Sequence, residues 1–123
     1  MKQLISWFEI PSIDFDRAVS FYKIVLQIDI HTFDYGQDKI GCLPCDGKCI
    51  SGAICYSPTI KPASEGVLIF LNGGNDINDF LHRVEVAKGK IVTPKTKIDA
   101  EGMGYFAIFI DSEGNKLGVH SEN

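Results

Sequence analysis

The stretch DFDRAVSFYKIVL, residues 14–26, decides the fold together with a second stretch, DINDFLHRV, residues 76–84. In each, an aspartate precedes a run whose apolar residues recur every three or four positions, the spacing of one helix face. The aspartate carboxylate accepts hydrogen bonds from the free amide groups of a first helical turn. Gly89 is expected to end the second helix in the left-handed conformation. Asp14 and Asp76 are 62 residues apart, so we expect two structural modules with one helix each.

Segments with a strand-like pattern flank both helices in the same order. The predicted strands span residues 4–10, 28–33, 39–43, 50–56, 67–71, 90–93, 105–110 and 116–120. Each module therefore reads βαβββ, the first over about residues 1–57 and the second over about residues 67–123, with a connector at 58–66. Because neither module is large enough to bury its own core, we predict one α+β domain over residues 1–123. In this domain, two curved mixed sheets form a cleft and the helices lie outside.

Composition limits the partners of the chain. Its 123 residues are 45% hydrophobic, and 12 basic against 16 acidic residues give a net charge of −4. Without a basic stripe, neither nucleic acid nor an anionic membrane is an expected partner. Fully apolar runs, such as residues 67–71, are far shorter than the ~20 residues of a membrane span. The first residues lack the pattern of a signal peptide, so we expect a cytoplasmic protein.

Four cysteines are concentrated in one predicted hairpin. Cys42, Cys45, Cys49 and Cys55 follow the spacing C-x2-C-x3-C-x5-C. A metal or redox module on this hairpin is one alternative, since C-x2-C is a common metal-binding spacing. The last two cysteines would lie far apart along an extended strand, however, and a closed zinc site usually combines two paired spacings. We therefore expect reduced thiols with no metal.

Beyond these patterns, the chain resembles a known family. WFEIP (residues 7–11) followed by DFDRAVSFY (14–22), GKIVTPKT (89–96) and GYFAIFIDSEGNKLGV (104–119) are similar to stretches of the vicinal-oxygen-chelate superfamily. That superfamily contains glyoxalases, bleomycin-resistance proteins and ring-cleaving dioxygenases, and the similarity is to a glyoxalase-related branch. The resemblance implies the same two-module fold. We also expect a homodimer, because one chain leaves exposed strand edges and an aromatic-rich cleft, and such modules often complete the cleft across a subunit boundary.

The resemblance also indicates where a metal would be bound. Metal-dependent members use four inward-facing ligands, one on the first strand and one late in each module. The corresponding positions here are Trp7, Ile54 or Cys55, Val67 and Gly118. Only a cysteine among them can donate to a metal, so no metal cofactor is expected.

Glu9 and His120 are the candidate catalytic residues. Strand alternation places Glu9 on the face of Trp7, and His120 on the face of Gly118, so both should point into the cleft. A carboxylate and an imidazole that face each other can act as base and acid, or bind a divalent metal together with water. The simpler interpretation is that Glu9 is a hydrogen-bonded structural residue and that His120 is a half-exposed one. Whether the protein is an enzyme therefore stays open at this point.

The predicted function is the binding of a small molecule in the cleft between the modules, in the manner of bleomycin-resistance proteins. Trp7, Tyr105 and Phe109 are the candidate ligand-binding residues, since aromatic side chains often form the walls of such sites. The alternative function is a metal-dependent lyase or isomerase, related to lactoylglutathione lyase, that uses Glu9 and His120. The identity of the ligand or substrate is not encoded in any motif of the chain.

Overall fold

The computed structural model describes residues 4–45 and 51–123. The first module contains β1 (Trp7–Pro11), α1 (Phe15–Leu26), β2 (His31–Tyr35), β3 (Asp38–Cys42) and β4 (Ser51–Tyr56). The second contains β5 (Phe70–Asn72), α2 (Ile77–Val86), β6 (Lys90–Lys97), β7 (Tyr105–Ile110) and β8 (Lys116–Ser121). The α+β class and the two βαβββ modules are thereby confirmed. Residues 46–50, which include Cys49 and most of the predicted hairpin turn, lie outside the described residues.

Each module forms one four-stranded mixed sheet. The strand orders are β1-β4-β3-β2 and β5-β8-β7-β6, with the first strand of each module parallel to its last strand. The other pairings are antiparallel. In the described part of the chain, β1 and β5 are therefore outer strands, each with one edge that pairs with no other strand.

The helices begin where the sequence predicts. The carboxylate of Asp14 accepts a hydrogen bond from the amide of Arg17 at 3.0 Å, and that of Asp76 accepts one from the amide of Asn78 at 2.9 Å. Both aspartates have extended backbone, as a residue that caps a helix start requires. The carboxylates thus satisfy amide groups that have no partner within the helix.

A single hydrophobic core joins the two modules. The ring of Phe21 in α1 stacks on Phe109 of β7 at 6.4 Å between centroids, and Phe80 of α2 contacts the same ring at 5.7 Å. The helices also contact each other directly, since Nε of Arg83 donates to the carbonyl of Val25 at 2.9 Å. The two modules thus bury apolar side chains against each other.

The turn between β7 and β8 ties the second module to α1. Tyr22 donates its hydroxyl to the carboxylate of Asp111 at 2.6 Å, and Glu113 accepts from Arg17 at 2.7 Å. Gly114 in this turn has a φ of +93°, a conformation that glycine adopts without strain. The turn therefore forms polar contacts beside the apolar core.

Strand bounds other than those of β7 differ from their prediction by one to four residues, and β5 and β6 are two examples. Strand β5 begins at Phe70 rather than at Val67, whose side chain is 93% exposed. Strand β6 continues through Pro94 to Lys97, beyond its predicted end at residue 93. The pairing of β6 with β7 shifts around this proline, and β6 is an outer strand, so the missing amide donor costs no central hydrogen bond.

The end of α2 also differs from its prediction. Lys88, and not Gly89, has the left-handed conformation, with a φ of +69°. Gly89 is needed for space, because a Cβ there would lie 2.7 Å from a methyl carbon of Val84 and 2.9 Å from the ring of Phe21. The helix end thus packs closely against α1.

Candidate functional site

Each sheet has one face packed on the helices and a second face, here called the open face. In the first sheet Ile10 and Ile54 are paired and buried on the helix side, so Trp7 and Glu9 lie on the open face. In the second sheet the buried pair Leu71 and Val119 likewise leaves Phe70 and His120 on the open face. The structure therefore places Trp7, Glu9 and His120 on open faces.

Two predicted ligand-binding residues lie elsewhere. Phe109 is 0% exposed and faces the helices, where it contacts the rings of Phe21 and Phe80. Tyr105 has the same orientation, and Nζ of Lys95 lies 4.5 Å from the centre of its ring. Tyr105 and Phe109 were expected on a cleft wall, but both face the helices. Strand β7 is apolar on both faces, so alternation alone does not identify the face that the helices cover.

The open face of β7 carries Phe106 and Ile108 instead. Phe106 pairs with His120, and Ile108 pairs with Gly118. Sequence reasoning did not separate Phe106 from Tyr105 and Phe109, because both faces of β7 are apolar. The full burial of Phe109 against α1 and α2 is a tertiary effect with no local signal.

The structure does not bring Glu9 and His120 together in one cavity. Glu9 accepts a hydrogen bond from the indole of Trp7 at 3.3 Å and lines a cavity of about 170 Å³. A nitrogen of His120 lies 2.6 Å from the carbonyl of Met103. That imidazole lines a different cavity of about 530 Å³, which we call the polar cavity. Within one chain, an acid–base pair of these two residues is therefore not formed.

The residues at the expected metal positions do not fit a metal. A Cβ at Gly118 would collide with the ring of Phe70, so this ring occupies the space of a ligating side chain there. Burial, together with the charges of Glu9 and Asp38, raises the pKa of the Cys55 thiol to about 11, so it is protonated at neutral pH. Among residues 4–45 and 51–123, no group of three or more His, Cys, Asp or Glu converges as metal ligands would.

The cysteines do not share one chemical state. Cys42 and Cys55 are free thiols, whereas Cys45 is disulfide-bonded. The expectation of reduced thiols is therefore wrong for Cys45, and a four-thiolate metal site loses one donor. Disulfides are rare in the cytoplasm, so the disulfide of Cys45 gives no support to the predicted cytoplasmic localisation, which stays a prediction.

An apolar cavity lies between the two outer strands β1 and β5. Its volume is about 560 Å³, and we call it the apolar cavity. Trp7 and Phe8 line it from β1, Val67 and Ile69 from the segment before β5, and Phe70 from β5 itself. Ser51 and Asn72 are the polar residues of its lining. Among the ligand-binding residues predicted from the sequence, Trp7 borders this cavity.

The described helices are too short and too polar to cross a membrane. No match was found among curated protein sequences. Solved structures with the same fold include a glyoxalase I mutant from Zea mays, at 18% identity and a TM-score of 0.73. The match covers 94% of this chain but 45% of the maize protein.

Two further solved structures match along almost their whole length. The antibiotic-binding protein TnmS3 from Streptomyces sp. CB03234 is 20% identical with a TM-score of 0.70, over 100% of this chain and 99% of that one. A glyoxalase family protein from Enterococcus faecalis is 17% identical with a TM-score of 0.71, over 98% of both chains. At these identities the likeness extends to the fold alone. A family model matches residues 4–119, and the chain therefore belongs to the Glyoxalase/Bleomycin resistance protein/Dioxygenase superfamily.

Proposed function

We propose that this protein binds a small, largely apolar molecule in the apolar cavity, without a metal ion. The cavity itself carries the proposal. Its volume of about 560 Å³ lies within the ~300–1,000 Å³ typical of sites for small organic molecules. Aromatic and aliphatic side chains form most of its lining and a few polar groups complete it, as in most such sites.

Trp7 is the main contact surface that we propose for the ligand. Its side chain is 47% exposed, although an indole gains free energy when its apolar surface leaves water. Its Nε1 donates a hydrogen bond to Glu9 at 3.3 Å, which restricts the orientation of the ring beside the cavity. A ligand that covers this ring would therefore bind without first ordering it.

The similar structures suggest a class of compounds for the first assays. TnmS3 is described as an antibiotic-binding protein, and the superfamily includes bleomycin-resistance proteins. The function proposed here is of the same kind, namely binding without chemical conversion. A catalytic role for Glu9 and His120 has no comparable support, because these residues line different cavities.

The experiment is a titration of the purified protein with a panel of aromatic and aliphatic antibiotics. Trp7 is the single tryptophan of the chain, so its fluorescence reports directly on the cavity. We expect saturable quenching by at least one compound and a matching rise in Tm. In Trp7→Leu, the affinity measured by calorimetry should fall at least about tenfold, which corresponds to ~1.4 kcal/mol.

Tyr35→Leu is the matched control. Tyr35 is also an exposed aromatic residue on a strand, and it does not line the apolar cavity. This variant should bind with unchanged affinity. Binding that survives in Trp7→Leu, or that weakens equally in the control, would contradict the proposed site.

The absence of a metal is tested separately. We expect elemental analysis of protein purified without chelator to find far less than one nickel, zinc or manganese per chain. Two separated donors, Glu9 and His120, are too few for a stable site. Ligand affinity should be the same with and without EDTA. About one metal per chain, lost in Glu9→Ala, would instead support the metal-dependent lyase.

We also propose that a second copy of the chain covers the outer strands β1 and β5. Large apolar side chains are exposed along both, among them Leu4 and Ile5 before β1, and Val67 and Leu68 before β5. Unpaired strand edges with such side chains are typical of association sites. A homodimer would cover these residues and complete the wall of the apolar cavity, which lies between the same two strands.

A further inference from the structure

Phe70 has an unusual position on the open face of the second sheet. It pairs with Gly118 in the parallel ladder between β5 and β8. A Cβ at Gly118 would collide with three carbons of the Phe70 ring, so the ring lies directly on the backbone of β8. The φ of Gly118 is not positive, so this glycine provides space and not a special backbone conformation.

Phe106 supports the ring of Phe70 from the side. The two rings meet edge to face, with centroids 6.4 Å apart and planes inclined by 70°. Despite these two supports, Phe70 remains 49% exposed. The sheet thus holds an aromatic ring in place while about half of it stays accessible.

Phe70 lines both cavities. One is the apolar cavity, to which Trp7 and Val67 contribute. The other is the polar cavity of about 530 Å³, which Asn75, His120 and Glu122 also line. No lysine or arginine lines the polar cavity among the described residues, and Glu122 gives it a negative charge.

From this arrangement we infer that Phe70 is a stacking platform that selects the ligand class. The ligand is a planar aromatic molecule with a neutral or cationic hydrogen-bonding group. Its ring system stacks on Phe70 and reaches into the apolar cavity, while its polar group lies among Asn75, His120 and Glu122. This inference rests on the proposed function, because it specifies the occupant of the same site.

Calorimetry with three small probes tests the inference. 2-Naphthylmethylamine combines an aromatic body with a cationic group. Decahydro-2-naphthylmethylamine removes the aromaticity, and 2-naphthoate reverses the charge. We expect the aromatic amine to bind the wild-type protein at least about tenfold more tightly than either of the other probes, as aromatic stacking and charge complementarity require.

Phe70→Leu identifies the platform. It keeps an apolar side chain of similar size, so the preference for the aromatic over the saturated amine should fall from about tenfold to about twofold or less. Gly118→Ala should give the same loss, because the new methyl group displaces the ring. Phe33→Leu is the control, since Phe33 is exposed on β2 and lines neither cavity. It should keep the wild-type preference.

The outcomes separate this inference from the proposed function. Equal binding of the aromatic and saturated amines by the wild type, or a tenfold preference that survives in Phe70→Leu with unchanged circular dichroism, overturns the platform. If none of the probes binds but an antibiotic of the panel does, the inference fails and the proposed function stands. If neither probes nor panel compounds bind, both fail.

Discussion

At the scale of single residues, Glu113 is the most strongly engaged carboxylate. It accepts hydrogen bonds from Nε of Arg17 at 2.7 Å and from the backbone amides of Ile13 and Asp14 at 2.8 and 2.7 Å. Burial acts to raise the pKa of this carboxyl, but the hydrogen bonds from Arg17, Asp14 and Ile13 outweigh it, so the pKa lies below its usual value. The carboxylate thus connects the β7–β8 turn to the start of α1.

A lowered pKa makes Glu113 a source of pH-dependent stability. Its contribution is complete above the pKa of about 4.3 in the unfolded chain, and it is lost as the pH falls through the lower folded pKa. We expect Glu113→Gln to lower the free energy of unfolding by about 1–3 kcal/mol at pH 7. Below about pH 4, the difference between variant and wild type should shrink, which urea titrations at several pH values measure.

Glu101→Gln is the control for this prediction. Glu101 is exposed in the loop between β6 and β7, where no ion pair is found among the described residues. Its substitution should change the stability by less than about 0.5 kcal/mol at any of these pH values. A stability difference for Glu113→Gln that stays constant down to pH 3 would contradict the assigned role.

Residue-level features were predictable where a local rule fixes them. Asp14 and Asp76 cap their helices, and Gly114 has a positive φ, because each effect depends on a few neighbouring residues. The sequence did not predict which of Phe106 and Phe109 lies on the open face. It depends on which side of β7 the helices cover, and β7 offers apolar residues to both sides.

At the scale of elements, Gly89 between α2 and β6 has two possible roles. It can end the helix in a left-handed conformation, or it can provide space where the chain packs closely. In the structure Gly89 has no positive φ, and a Cβ there would contact Val84, Phe21 and the carbonyl of Ile110 at 2.7–2.9 Å. We expect Gly89→Ala to lower the free energy of unfolding by about 1–3 kcal/mol through overpacking. Chemical denaturation measures this directly.

Lys88→Gly is the informative partner of that variant. Lys88 has the left-handed conformation, with a φ of +69°, which a glycine adopts without strain. This variant should therefore be at least as stable as the wild type. A loss of stability in Lys88→Gly, together with a harmless Gly89→Ala, would show that Gly89 serves as the left-handed cap after all.

The elements themselves followed from hydrophobic periodicity, with exceptions at outer strands. β7 has its predicted bounds. It lies inside a sheet with a partner strand on each side, so its whole apolar run is paired. Residues 67–69 have the composition of a strand, yet β5 begins at Phe70. Ile69 still accepts a hydrogen bond from the amide of Gly118 at 2.9 Å, but nothing in the described chain covers Val67.

At the scale of the whole molecule, the exposed apolar residues before β5 support self-association of the chain. Val67 is 93% exposed at an outer strand that also borders the apolar cavity. Sequence predicts a strand there because apolar residues are consecutive, and such a segment becomes stable when another chain supplies its missing contacts. The geometry of a contact between two chains depends on both of them, so it cannot be read from the pattern of one sequence.

We expect sedimentation velocity at micromolar concentration to give twice the monomer mass of 13.6 kDa. Val67→Glu should shift the protein to the monomer, because association would bury an unpaired carboxylate. Val86→Glu is the matched control, since Val86 is also exposed, at 58%, but lies at the end of α2 away from both outer strands. It should remain dimeric. A wild-type monomer, or a dimer that persists in Val67→Glu, would contradict association through β1 and β5. The apolar cavity would then have to function within one chain.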